Sequence, residues 1–144
     1  MQINLFRKND NFDPENSHVI SGIINKIYIA NKEKFLFVAL CGIGKPIREF
    51  WFSNDMVKNC IKNMSLSKNK INRHKRPQQF QTNEDTGKGI SIKELSSIIA
   101  LAVGFKDKII SDDNYPDWHP KKVDDISTQT KLGIKIKLDL KRRM

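Results

Sequence analysis

Three apolar runs decide the fold: VISGIINKIYIA (Val19 to Ala30), KFLFVALC (Lys34 to Cys41) and IREFWF (Ile47 to Phe52). In the first, Val19, Gly22/Ile23, Ile27 and Ile29 are set among Ser21, Asn25 and Lys26. Alternation with β-branched or aromatic side chains predicts strands. Asn31-Lys32-Glu33 and Gly42-Ile43-Gly44-Lys45-Pro46 are polar or glycine-rich breaks, and Pro46 cannot donate to a central ladder. The stretch is therefore expected to be a three-stranded antiparallel meander.

Outward from it, the N-terminal residues 1–16 are expected to form a polar arm or a short edge strand. Phe6 and Phe12 are its anchors, and Asp13-Pro14-Glu15-Asn16 a turn. Downstream, SNDMVKNCIKNM places Met56, Val57, Cys60, Ile61 and Met64 at helical spacing, predicting a short helix over 55–64 with that face inward. Ser91-Ile92-Lys93-Glu94 is a capping box, Leu95, Ile98, Ile99, Ala102 and Val103 repeat at helical spacing, and Gly104 is a stop. A helix over 92–103 follows. Residues 111–126 are expected to be a loop, broken by Pro116 and Pro120. From Thr130 to Lys141, Leu132, Ile134, Ile136, Leu138 and Leu140 alternate with lysines, predicting a C-terminal strand.

The chain of 144 residues is expected to be one domain, with 26 basic against 16 acidic residues and a formal charge of +10. That surplus suggests an anionic partner, most often nucleic acid. The opening MQINLFRKND has no long apolar core, and no apolar run is long enough to span a bilayer, so a cytoplasmic protein without membrane contact is expected. Cys41 and Cys60 are expected to be reduced and buried. Neither they nor the three histidines have zinc-ligand spacing, so no metal and no cofactor is expected.

Residues 65–89 are the most polar segment, read as a basic hairpin or a mobile loop. Lys68, Lys70, Arg73, His74, Lys75 and Arg76 crowd together with no acid between them, ahead of Phe80 and Lys88. A positive groove with aromatic side chains on a sheet suits single-stranded nucleic acid. Tyr28, Phe35, Phe37, Phe50, Trp51 and Phe52 would supply the aromatics, with Trp51 opposite Phe50 and Phe52. There is no GxSxG, phosphate-binding GxxxxGK[ST], GxGxxG or HExxH, which argues against an enzyme.

The order KFLFVAL, REFWFSNDMVKNCIKNM, KINRHKRPQQFQTNEDTGKGISI resembles bacterial single-stranded DNA-binding proteins over about residues 17–92. The matching positions are Phe37-Val38-Ala39, Phe50-Trp51-Phe52, Asn59-Cys60, and Arg73 to Lys88 with Phe80. The resemblance implies an OB-like five-stranded antiparallel barrel, α+β but mostly β, with one or two helices and a C-terminal strand. It departs from that family in its basic ending, KLDLKRRM, and in its well-capped helix over 92–103, which suggests a mobile-element or phage relative. The expected function is then non-enzymatic, sequence-tolerant binding of single-stranded DNA or RNA. Lys70, Arg73, Lys75, Arg76 and Lys88 would contact phosphates, Trp51 and Phe80 would stack on bases, His74 would belong to the same nucleic-acid-binding set, and Lys135 and Lys137 would add a second positive strip. A second reading is a protein-interaction module or phage inhibitor that docks on an acidic or nucleoprotein partner through Tyr115 and Trp118. A third is a metal-independent ribonuclease using His74 or His119. Homo-oligomerisation stays open.

Overall fold

The computed structural model describes residues 4–67, 69, 87–112, 114, 120–123 and 126–131. Its element order is β1 (Asn4–Phe6), α1 (Val19–Lys32), β2 (Phe37–Cys41), β3 (Ile47–Arg48), β4 (Phe50–Phe52), α2 (Ser53–Met64), β5 (Ile90–Ser91), α3 (Ile92–Val103), β6 (Lys108–Asp112), β7 (Lys121–Lys122) and α4 (Ser127–Lys131).

The expected antiparallel barrel is not formed; the fold is mixed α/β. Three of the four ladders are parallel: β1 with β4, β2 with β6 and β3 with β7. Only β3 with β5 is antiparallel among the strand pairs described. Parallel partners need long connections between them, which a meander lacks.

The decisive difference is Val19 to Ala30, which is helical rather than extended. Its buried residues are Ile20, Ser21, Ile23, Ile27 and Ala30, and steps of three and four mark one face of a helix. Isoleucine's β-branch lowers helix propensity only slightly, and burying a full apolar stripe outweighs that. Ile27 is fully enclosed. The Asp13 turn leads into this helix: its carboxylate accepts the amides of Asn16 at 2.8 Å and Glu15 at 2.9 Å.

The other two runs are strands, with different partners. β2 sends Val38 and Leu40 inward and leaves Phe37 exposed. β4 buries Phe50, Trp51 and Phe52, so both its faces are covered, as parallel strands require. Phe50 and Phe52 join the main core with Phe6, their rings tilted where Phe6 meets Phe52 at 5.5 Å. Trp51 is buried too, but outside that core cluster.

The helix over 92–103 forms as the sequence predicts. Ser91 Oγ accepts the Glu94 amide at 3.1 Å, and Gly104 closes the helix in the left-handed region. Leu95 and Ile99 are fully buried against α1, and Asn31 Nδ2 donates to the Val103 carbonyl at 3.1 Å, tying the two helix ends together. α2 covers the expected span, but its inward side is Met56, Asn59, Cys60 and Asn63. Val57, Ile61 and Met64 face out, against expectation.

The N-terminal arm supplies strand β1, with Phe6 buried and Phe12 exposed. The loop expected over 111–126 holds the end of β6 and all of β7. Thr130 and Lys131 close α4 instead of opening a strand; the rest of the predicted C-terminal strand lies outside the described residues. Neither cysteine forms a disulfide, and neither is buried as expected: Cys41 is exposed and Cys60 half-buried. Among the described residues no helix is long and apolar enough to cross a membrane.

Candidate functional site

Helix α1 has a second stripe beside its core stripe. Val19, Gly22, Lys26 and Ile29 recur at steps of three and four, and all four line a cavity of about 580 Å³. That volume falls in the range of small-molecule sites. Gly22 keeps the stripe low at its middle: a Cβ there would stand 2.9 Å from Ser17 Oγ. Asn25 Nδ2 donates to the Phe12 carbonyl at 2.8 Å, fastening the arm beside the cavity mouth.

The facing wall is the end of β2 and the turn after it. Leu40, Cys41, Gly44, Pro46 and Arg48 border the cavity. The turn reverses through two left-handed glycines, Gly42 and Gly44, at φ 77° and 72°. It is held from three sides. The Gly42 amide donates to Asp112 O at 3.0 Å, the Ile47 amide to Pro120 O at 2.9 Å, and the first two α3 amides, of Ile92 and Lys93, to Pro46 O and Gly44 O. Arg48 follows on β3, half-buried, with Nη1 donating to the Ile47 carbonyl at 2.9 Å.

The electrostatics of this cleft have one sign. Lys26 and Arg48 border it, and no carboxylate does among the described lining residues. The N-terminus of α1 also opens there at His18, whose side chain makes no capping bond, and the first turn carries no acid. Free amides at a helix start favour an anion. Apolar walls from Val19, Ile23, Ile29, Leu40 and Ile92 complete the cavity. Two cations and a helix N-terminus beside apolar walls suit a ligand with an anionic centre and larger, less polar ends.

None of this matches the residues expected from the sequence. Trp51 is 1% exposed, so neither ring face is open to a stacking base. Phe50 and Phe52 are core. Lys88 is exposed and does not line the cavity. Lys70, Arg73, His74, Lys75, Arg76, Phe80, Tyr115, Trp118, Lys135 and Lys137 lie outside the described residues. Sequence reasoning missed Lys26, Arg48 and the His18 end of α1. Their signal was the Val19/Gly22/Lys26/Ile29 stripe, visible once the segment is taken as a helix.

No family model matches the chain. It is 34% identical over 133 residues to the GDP-L-fucose synthase of Escherichia coli (strain K12), covering 92% of this chain and 41% of that protein. Among solved structures, DdhaC superposes with a TM-score of 0.81 at 29% identity, over 97% of this chain and 48% of that one. A GDP-L-fucose synthetase from Naegleria fowleri bound to NADP superposes with a TM-score of 0.76 at 24% identity, over 97% of this chain and 41% of the other. The chain thus spans about two fifths of the length of the curated relatives it matches. These similarities overturn the single-stranded DNA-binding resemblance, the OB-like barrel and the expectation of a non-enzymatic partner for single-stranded nucleic acid. The relatives are named for sugar-nucleotide chemistry, and the solved structures share this α/β arrangement.

Proposed function

We propose that this chain forms the sugar-nucleotide-binding part of a reductase or epimerase acting on a GDP-linked sugar. The observation that carries this reading is the cavity bordered by Lys26, Arg48 and the open N-terminus of α1. A nucleoside diphosphate sugar has an anionic centre between a flat base and a sugar ring, which matches two cations set between apolar walls. Arg48 suits a planar, two-pronged contact with a phosphate, and Lys26 a point-charge contact. The apolar walls then exclude water from the base and sugar ends. The similarity to GDP-L-fucose synthases supports the choice of ligand class.

A dinucleotide cofactor is a separate matter. Its pyrophosphate sits on a glycine-rich turn that joins a strand to a helix. Here the β1–α1 connection, residues 7–18, has no glycine and carries Asp10, Asp13 and Glu15. Gly42 and Gly44 form a turn that leads into strand β3, not into a helix. The residues described do not fit such a cofactor, so the chain's own part is to bind and orient the sugar nucleotide.

The test is calorimetric titration of the chain with GDP-L-fucose. Saturable binding that weakens at high salt, and at least tenfold in Arg48→Ala or Lys26→Ala, is expected. No heat at millimolar ligand, or equal affinity in both variants, overturns the reading.

A further inference from the structure

Helices α1 and α3 end in the same motif, and only one of the two ends is sheltered. The Phe35 amide donates to the Ala30 carbonyl and the Phe105 amide to the Ala100 carbonyl, both at 2.9 Å. The residue before each phenylalanine is left-handed, Lys34 at φ 56° and Gly104 at φ 79°. Asn31 Nδ2, donating to the Val103 carbonyl, ties the two ends together. In this motif the residue after the left-handed one usually packs back onto its helix. Phe105 joins the core at 6% exposure, whereas Phe35 is 54% exposed. The left-handed position on α1 is also strained, because lysine stands where α3 has glycine.

Leu36 and Phe37 follow at 78% and 55% exposure, so three consecutive apolar residues are uncovered. Such a run is out of place on a soluble surface unless it binds something. Lysines surround it. Lys32 and Lys34 precede it, and Lys106 and Lys108 belong to the segment beside it. The Lys108 amide donates to the Leu36 carbonyl at 3.3 Å, and Lys108 stands opposite Phe37 in the ladder. All four lysines are exposed. Glu33 and Asp107 are the acids of these two segments, so lysines outnumber carboxylates four to two.

We infer that the Phe35–Leu36–Phe37 tip docks on the surface of an anionic phospholipid bilayer, its apolar side chains entering the headgroup layer and its lysines meeting lipid phosphates. The mixture of side chains chooses this occupant. Lysine lays its stem along apolar surface and keeps its ammonium group in the polar layer, which suits an interface apolar within and anionic without. A second copy of the chain would bring the same lysine surplus against itself. The sequence lacks a spanning run, but docking on a surface needs none.

The tip is also at the end of α1 and β2 away from the cavity. α1 runs 14 residues, about 21 Å, from His18 at the cavity to Lys32 at the tip. β2 likewise runs from Phe37 at the tip to Cys41 at the cavity. Docking there keeps the cavity clear of lipid. The inference does not rest on the sugar-nucleotide reading.

The test is sedimentation of the full chain with vesicles of phosphatidylcholine alone or mixed with phosphatidylglycerol. Binding to the mixed vesicles only, weaker as salt rises, is expected. Charge alone draws a basic chain to anionic vesicles, so the decisive variant changes no charge. Leu36→Ser should weaken vesicle binding by about fivefold or more, with GDP-L-fucose binding and thermal unfolding unchanged. Lys34→Gly should also weaken it about fivefold while raising the unfolding temperature, since glycine relieves the left-handed strain. Binding that Leu36→Ser leaves intact assigns the attraction to net charge and overturns the inference. So does an absence of binding to mixed vesicles at low salt, or a dimer in solution that Leu36→Ser dissociates.

Discussion

Gly44 and Lys93 hold each other at the rim of the cavity: the Lys93 amide donates to the Gly44 carbonyl at 3.0 Å, and a Cβ on Gly44 would stand 3.1 Å from Lys93 Cβ. Gly44 is also in the left-handed region, at φ 72°. Gly44→Ala should therefore cost about 1–2 kcal/mol of stability from the left-handed backbone alone. Sugar-nucleotide binding should fall with it, because the turn carries the chain toward Arg48. Urea unfolding beside calorimetric titration measures both. A loss of binding with no loss of stability would assign Gly44 to ligand contact instead.

Ser91 caps α3 through its hydroxyl, which accepts the Glu94 amide. Ser91→Ala should destabilise the fold by about 1 kcal/mol, and Ser91→Asp should be close to neutral, since both Ser and Asp accept at this position. The shift in the urea midpoint at constant slope reads this out. Equal losses in the two variants would show that the cap contributes nothing.

Burial separates two apolar helix residues of similar size. Ile27 on α1 is fully enclosed, whereas Leu101 on α3 is 73% exposed. Ile27→Ala should cost about 2–5 kcal/mol. Leu101→Ala should stay within about 0.5 kcal/mol. Thermal melts of the pair check the placement of α1, and comparable losses would contradict it.

The Asp13 turn gives the arm an acid limit. The Asn16 and Glu15 amides hold its carboxyl below the usual carboxylate range. A folded-state value below the unfolded one means stabilisation that is present above the unfolded value, about 3.9. It is lost as pH falls through the folded value. The turn leads through Ser17 to His18 at the cavity mouth, so this carboxyl should have no effect on GDP-L-fucose affinity between about pH 5 and 8 and should loosen the arm below about pH 4. Asp13→Asn should remove that acid response in the amide spectra of residues 13–18. A response that persists in the variant would place the titration elsewhere.

Much of the local structure was legible in the sequence. The Ser91–Glu94 box and Gly104 bounded α3 to the residue, because capping and left-handed closure are local chemistry. Phe37 to Cys41 and Phe50 to Phe52 read as strands for the same reason. What failed was the period of Val19 to Ala30. Isoleucines fall on both parities there and also at steps of three and four, and only the buried face, fixed by α3 and β2, selects the helix. That one error converted a mixed fold into a meander and hid Lys26, which shares a side of α1 with both Val19 and Gly22 only in a helix. Strand partners were not legible either. Nothing local in Lys108 to Asp112 says that it pairs with Phe37 to Cys41, because register across so long a separation is set by the whole core. The charge surplus was read as a nucleic-acid footprint, but composition does not separate a polymer of phosphates from one diphosphate.

The β2–β6 ladder joins residues roughly seventy positions apart, from Phe37 with Lys108 to Cys41 with Asp112. A ribosome adds about 5–20 residues per second, so β2 waits roughly four to fourteen seconds for its partner to be made. During that interval Phe35, Leu36 and Phe37, which remain exposed even in the finished fold, are joined by Val38 and Leu40 as unsheltered apolar side chains on an unpaired strand. Synthesis, more than the finished molecule, is the stage at which these side chains stand uncovered.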